Sequence, residues 1–124
     1  MIAIERGTLG VEVLLSLGAA SEAAISAVSA SELLHGVYRA RPGAQRQRRL
    51  AFAEELLAQF PVLAFDLTVA RGHAALGASL ARRGVVIGAH DLLIAATALA
   101  RGCTIVTRDK RSFPKIPGLK VELI

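Results

Sequence analysis

The sequence predicts an α/β fold with a mainly parallel sheet. Short apolar segments rich in β-branched residues alternate along the chain with amphipathic helical segments, and this alternation is typical of sheets with parallel strands. Hydrophobic residues make up 53% of the 124 residues and aromatic residues only 4%, which favours close-packed helices and short strands over an aromatic-rich β-sandwich. The length predicts a single domain over residues 1–124.

The first half of the chain predicts one strand and three helices. EVLLSL (12–17) indicates a short helix, and AAISAV (23–28) indicates a strand of small and β-branched residues. SASELLHGVYRA (29–40) has the apolar spacing of an amphipathic helix. The segment 41–60 opens with a Pro-Gly break and continues as a helix with a basic start.

The second half predicts three strands and two helices. The strands are PVLAF (61–65), CTIVT (103–107) and KVELI (120–124). A helix over 69–84 follows Asp66 or Thr68 as its N-cap and ends in basic residues and a glycine. A second helix, from about His90 to Arg101, is apolar around almost its whole circumference, which predicts burial on several sides.

Charge and cysteine content indicate a cytoplasmic protein with an anionic partner. The formal net charge of +5 comes mostly from arginine and suits nucleic acid or an acidic protein segment. The single cysteine, Cys103, excludes an intrachain disulfide and is interpreted as a core thiol, as expected in a reducing cytoplasm. No signal-peptide pattern opens the chain, and the longest apolar stretch is about half of a membrane span, so no membrane association is expected.

Three of the ten acidic residues lie near predicted strand ends or helix starts. Glu32 opens the helix after AAISAV, Asp91 heads the apolar helix, and Asp109 follows CTIVT. Each has a structural explanation of its own: a capping box with Ser29 as N-cap, a favourable helix dipole, and a charged turn. In an open α/β sheet, however, the carboxyl ends of the strands form the ligand crevice, so these three carboxylates are candidates for one site.

The chemistry of such a cluster points to a divalent cation. Neighbouring carboxylates repel one another, and a cation between them removes that cost. Mg²⁺ and Mn²⁺ prefer oxygen ligands and can activate water for attack on a phosphodiester. Basic segments would then hold the backbone of RNA or DNA.

Two segments, AISAVSASELLHGV (24–37) and GVVIGAHDLLIAATALARGCTIVTRDKRSFPKIPGLKVE (84–122), resemble the PIN-domain family, and within it the VapC-type toxins. The resemblance implies a three-layer α/β/α sandwich around the parallel sheet. It also implies a toxin of a toxin–antitoxin pair that is an Mg²⁺- or Mn²⁺-dependent ribonuclease, forms a homodimer and binds a cognate antitoxin. The site it implies has metal ligands and a neighbouring hydroxyl: Glu32, Asp91, Asp109 and Thr107.

The beginning of the chain departs from the family pattern. The family opens with a hydrophobic strand that ends in Asp-Thr and supplies the first acid, whereas this chain opens MIAIERG. The first strand and the first acid are therefore expected to be missing, and Glu5 is interpreted as part of an early helix. Two functions follow: a metal-dependent endoribonuclease toxin, or an impaired module that binds antitoxin and dimerises without cutting RNA.

The histidines and arginines are ambiguous on sequence alone. His35 and His90 are interpreted as structural residues, His90 as a helix-start residue. The densest basic patch indicates either a solvated helix face or a contact with RNA or antitoxin; it contains Arg39, Arg41, Arg46, Arg48 and Arg49.

Overall fold

A computed structural model of the chain describes residues 2–4 and 23–123. Its strands are β1 (Ile2–Ile4), β2 (Ala23–Ser26), β3 (Val62–Leu63), β4 (Thr104–Thr107) and β5 (Val121–Leu123). Its helices are α1 (Ala27–Tyr38), α2 (Ala44–Leu57), α3 (Leu67–Arg82) and α4 (Ala89–Arg101), with a 3-10 turn at Phe113–Lys115. The second-half strands β3, β4 and β5 lie inside the predicted segments, and every predicted helix of the described range is present.

The described strands form one sheet in the order β3-β2-β1-β4-β5, with every neighbouring pair parallel. A three-residue strand, β1, lies at the centre of the sheet, the position of the family strand that was expected to be missing, with Ile4 opposite Ile25 and Val106. Three residues are too few to indicate a strand in a sequence. They form a strand here because β1 pairs with a neighbouring strand on each side. The predicted helix at 12–17 and the interpretation of Glu5 lie outside the described residues.

The β2–α1 junction differs from the prediction by a few residues. The strand predicted to reach residue 28 ends at Ser26, and the helix begins at once. The predicted capping box is wrong: Ser26 is the N-cap, and its Oγ accepts a hydrogen bond of 3.0 Å from the backbone N–H of Ser29. Ser29 is instead a buried residue of the first turn, and its Oγ accepts a bond from the Ser26 hydroxyl. Because no linker separates strand from helix, the position of Glu32 is fixed relative to the sheet.

The start of α3 is tied to the end of α4. Asp66 is the N-cap of α3, one of the two predicted candidates, and its Oδ1 accepts a bond of 3.0 Å from the backbone N–H of Val69. Its other oxygen forms an ion pair with Arg101 in the last turn of α4. Gly102 ends α4 in the left-handed conformation, with φ of 65°, which glycine adopts without steric cost.

Apolar side chains are buried on both faces of the sheet, which gives the expected three layers. Successive strand residues point to opposite faces, so Val106 joins the core under α1 and α2 while Ile105 joins the core around α4. Residues Ile94 to Ala98 of α4 are all buried, as its apolar circumference predicts. Cys103 is a buried free thiol, and burial raises its pKa. Among the described residues no helix is long and apolar enough to span a membrane.

Candidate active site

The three predicted acids converge at the carboxyl edge of the sheet. β2 runs directly into α1, which carries Glu32, and β4 runs into the turn that carries Asp109. Asp91 lies in the first turn of α4, which packs between these elements. The negative charges of both Asp109 and Glu32 act on Asp91. We call Glu32, Asp91 and Asp109 the acidic site.

Asp91 is the carboxylate of the acidic site whose surroundings oppose its charge. It is half-buried, and its pKa is raised first by burial and then by the charges of Asp109 and Glu32. A hydrogen bond from the Ser112 hydroxyl opposes this shift. The two ion pairs of the described residues, His90–Glu32 and Arg101–Asp66, do not include Asp91. The ionised Asp91 carboxylate therefore lies where a nearby cation would stabilise it.

Asp109 is held as a stable anion by the turn that it begins. Its Oδ1 accepts backbone hydrogen bonds of 2.7 Å from Arg111 and 3.2 Å from Ser112. The bond from Arg111 is the main reason that the pKa of Asp109 is lowered. Thr107, fully buried at the end of β4, accepts a bond of 3.0 Å from the backbone N–H of Asp109. The turn therefore fixes the direction of the Asp109 carboxylate.

A contact between Glu32 and His90 was not predicted from the sequence. Nδ1 of His90 donates to Oε1 of Glu32 at 2.7 Å, so α4 and α1 are joined through the residue beside Asp91. The Glu32 side chain is 28% exposed and that of His90 is 66% exposed, which places the pair at the mouth of the site. The interpretation of His90 as a helix-start residue is correct in position but omits this bond. The partners are 58 residues apart, so no local spacing could reveal it.

Ser112 is a second residue that sequence reasoning missed. Its hydroxyl lies within reach of the carboxylates of both Asp91 and Asp109, and its single proton can be donated to one of them at a time. Its own backbone N–H donates to Asp109, three residues earlier, so the turn after β4 brings the hydroxyl between the two acids. A serine shortly after a strand-ending aspartate is the only local signal of this arrangement.

The donors of the acidic site fit a hard divalent cation by type, but they do not form a complete cage. No group of three or more histidine, cysteine, aspartate or glutamate side chains within residues 2–4 and 23–123 is arranged to hold a metal ion. Mg²⁺ commonly binds through one or two carboxylates and keeps several waters. The acidic site offers that number of carboxylates, because Asp109 and Glu32 lie close enough to Asp91 to raise its pKa. A bound cation would remove the repulsion among these charges.

Comparison with known proteins gives consistent matches over nearly the whole chain. The PIN-domain family profile matches residues 2–119. Ribonuclease VapC1 of Rickettsia felis is 35% identical over 121 residues, which are 98% of this chain and 88% of that protein. The tRNA(fMet)-specific endonuclease VapC of Salmonella typhimurium is 34% identical over 102 residues, 82% of this chain and 75% of that protein.

Solved structures of similar fold are toxin–antitoxin complexes. The chain matches a chain of the DNA-bound VapBC complex of Salmonella typhimurium with a TM-score of 0.84 and 26% identity, over 98% of both chains. It also matches a chain of the VapBC2 complex of Rickettsia felis, solved with a promoter DNA fragment. There the TM-score is 0.80 and the identity 27%, over 100% of this chain and 99% of the other.

Proposed function

Because the chain belongs to the PIN-domain family and to its VapC ribonucleases, we propose that it is the toxin of a toxin–antitoxin pair. In this proposal it is an endoribonuclease that cleaves RNA phosphodiester bonds with Mg²⁺ or Mn²⁺. The observation that carries the proposal is the convergence of three carboxylates at one sheet edge, with Asp91 half-buried and without an ion-pair partner among the described residues.

The side chains of the acidic site take separate roles in this proposal. Asp91, Glu32 and Asp109 would hold the cation together with bound waters, which complete the coordination that the carboxylates alone do not provide. Thr107 and Ser112 would keep the carboxylates in position, since Thr107 accepts a bond from the Asp109 backbone and the Ser112 hydroxyl can donate to either aspartate. When bound, such a cation lowers the pKa of a water molecule and stabilises negative charge on the phosphodiester.

The proposal includes an antitoxin, a second copy of the chain and the cytoplasm. Relatives of similar fold form complexes described as VapBC toxin–antitoxin assemblies, which supports a cognate antitoxin as partner. A homodimer and a cytoplasmic location are expected on the same family grounds. The alternative is an impaired module that binds antitoxin and dimerises without cutting RNA; it rests on the first acid, because Glu5 and Arg6 follow β1 in the sequence where the family has Asp-Thr.

The decisive test is RNA cleavage by the parent chain and by Asp91→Asn in Mg²⁺. A bound cation supplies several kcal/mol of transition-state stabilisation, so we expect Asp91→Asn to lose about 1,000-fold in rate and EDTA to stop the parent. Glu54→Gln, which removes an equal charge from an exposed position of α2, is the matched control and should cleave normally. Undiminished cleavage by Asp91→Asn would contradict the proposed site.

Failure of the parent itself to cleave in Mg²⁺ or Mn²⁺, combined with tight antitoxin binding, would favour the impaired module instead. Glu5→Gln belongs in the same series, because Glu5 follows the last residue of the central strand in the sequence.

A further inference from the structure

Four exposed arginines surround the connection between α1 and α2. We call them the basic turn; they are Arg39, Arg41, Arg48 and Arg49. They have no ion-pair partner among the residues that the structure describes. We propose that the basic turn binds the phosphate backbone of single-stranded RNA beside the acidic site. This inference rests on the proposed function, because it assigns the substrate-holding surface of the same site.

Arg46, the fifth arginine of the sequence patch, has a structural role instead. Its Nε donates to the carbonyl of Ala40 at 3.0 Å, and its Nη2 donates to the carbonyl of Tyr38 at 2.9 Å. Its guanidinium also lies over the Tyr38 ring, 5.6 Å from the centroid. Arg46 therefore links the start of α2 to the end of α1 and fixes the connection between the two helices. The four arginines of the basic turn lie on or beside this connection.

The charges of the basic turn do not serve the stability of α2. This helix begins at Gly43 without a side-chain cap and without an acidic residue in its first turn. Arg48 and Arg49 follow in the second turn, beyond the reach of the helix dipole, which falls off within the first turn. By contrast, α3 begins at an aspartate cap and carries Arg82 in its last turn, as helix stability favours. Neither a helix cap nor the helix dipole therefore accounts for Arg48 and Arg49, whereas an anionic ligand would.

One face of α1 connects the basic turn to the acidic site. Glu32 and Arg39 are seven residues apart, which is almost two full turns, so they share a face about 10 Å apart along the axis. Gly36 lies between them, and a Cβ at that position would be 3.5 Å from Nη2 of Arg39. The Arg39 side chain therefore folds back over Gly36 towards the turn that carries Glu32. Glu32 is bonded to His90, so the Arg39 cation stays available.

The surroundings of this face favour a nucleic acid over a protein partner. Protein interfaces need a central apolar anchor, whereas phosphate contacts need mainly positive charge. The exposed Tyr38 and the neighbouring Leu34 line a shallow apolar groove with Val62. Leu34 lies about half a turn around the helix from Glu32, and His35, which also lines the groove, is a neighbour of Glu32, so the groove borders this face without including Glu32, Gly36 or Arg39. The face of Glu32, Gly36 and Arg39 offers charge without such an anchor.

The test is the binding of a fluorescein-labelled, mixed-sequence RNA 12-mer to the full chain in EDTA, where cleavage is prevented. Anisotropy measured over a series of KCl concentrations gives the slope of log K against log salt. We expect Arg39→Gln combined with Arg48→Gln to reduce this slope by about 1.4, because each lost phosphate contact on a single strand accounts for about 0.7. Arg82→Gln combined with Arg83→Gln changes the net charge equally at exposed positions, the last residue of α3 and its C-cap, and should leave the slope near that of the parent.

Lysine variants at the same two positions keep the charge and should keep most of the slope, which controls for altered folding. Equal losses from the α3 pair, or an unchanged slope for the basic-turn pair, would overturn the inference. So would unchanged RNA binding accompanied by lost binding of a poly-glutamate peptide, since that result assigns the surface to an acidic protein. If the slope falls as expected but the parent does not cleave RNA in Mg²⁺, the proposed function fails and the RNA-binding surface stands.

Discussion

The acidic site collects negative charge and the basic turn collects positive charge on neighbouring parts of the molecule. The side chains of the two regions are held in different ways. Each carboxylate of the acidic site is fixed by a hydrogen bond: Glu32 from His90, Asp109 from backbone amides, and Asp91 from Ser112. The four arginines of the basic turn have no ion-pair partner in the described part of the chain. Only the connection that carries them is fixed, through Arg46.

The difference matches the ligands that the two regions would bind. A small cation requires donors at set positions, and fixed carboxylates do not have to be ordered when it binds. A flexible single strand presents phosphates at variable positions, and long unpaired arginine side chains can follow them. Loss of one carboxylate should therefore reduce chemistry far more than binding, whereas loss of one arginine should reduce binding alone.

After Asp91→Asn, the largest effect that tests this difference is expected from Asp109→Asn. The asparagine Oδ1 can still accept the backbone bonds from Arg111 and Ser112, so the turn should persist while the charge is lost. We expect RNA cleavage in Mg²⁺ to fall by about 100-fold or more, because cation binding supplies several kcal/mol. RNA affinity in EDTA should not decrease. A variant that lost RNA affinity and cleavage in equal proportion would show that the acidic site also contributes to RNA binding, against the separation of chemistry from binding described above.

A smaller effect is expected from His90→Ala. Without the bond to Oε1, the Glu32 side chain regains its rotamer freedom, and a partner of a metal ligand typically contributes about tenfold to affinity. Mn²⁺ titration followed by electron paramagnetic resonance should show that loss. His90→Asn retains a donor near the Nδ1 position and should bind Mn²⁺ almost as the parent does. Tighter Mn²⁺ binding by His90→Ala would mean that His90 competes with the metal for Glu32.

Local sequence patterns could predict the elements and acids but not their mutual contacts. Strand ends and helix starts identified Glu32, Asp91 and Asp109, because a parallel sheet gathers these positions at one edge. The His90–Glu32 bond joins segments that are distant in the sequence, so no local sequence pattern indicates it. β1 was missed because its three residues are recognisable as a strand only when both neighbours are in place. The Ser26 cap was missed because the capping-box pattern at Ser29 is equally good in sequence.

The smallest expected effect is a pH dependence of stability inside the acidic site, measured by thermal unfolding in EDTA. Burial, Asp109 and Glu32 raise the pKa of Asp91, so the folded protein binds that proton more tightly than the unfolded chain does. The ionised Asp91 therefore destabilises the fold above its folded pKa, and the penalty disappears as the pH falls to the ordinary aspartate range, about 3.9. Asp91→Asn should be more stable than the parent at pH 7 and equal to it at low pH.

Asp109→Asn should show the opposite sign under the same conditions. The backbone bond from Arg111 lowers the pKa of Asp109, so its charge stabilises the fold above the unfolded pKa, and this stabilisation is lost as the pH falls through the folded value. At pH 7 the variant should unfold at a lower temperature than the parent, with the difference closing in acid. If both variants shifted stability in the same direction, the two aspartates would not differ as their hydrogen bonds and burial indicate. Opposite shifts would identify Asp91 as the carboxylate that a bound cation relieves most.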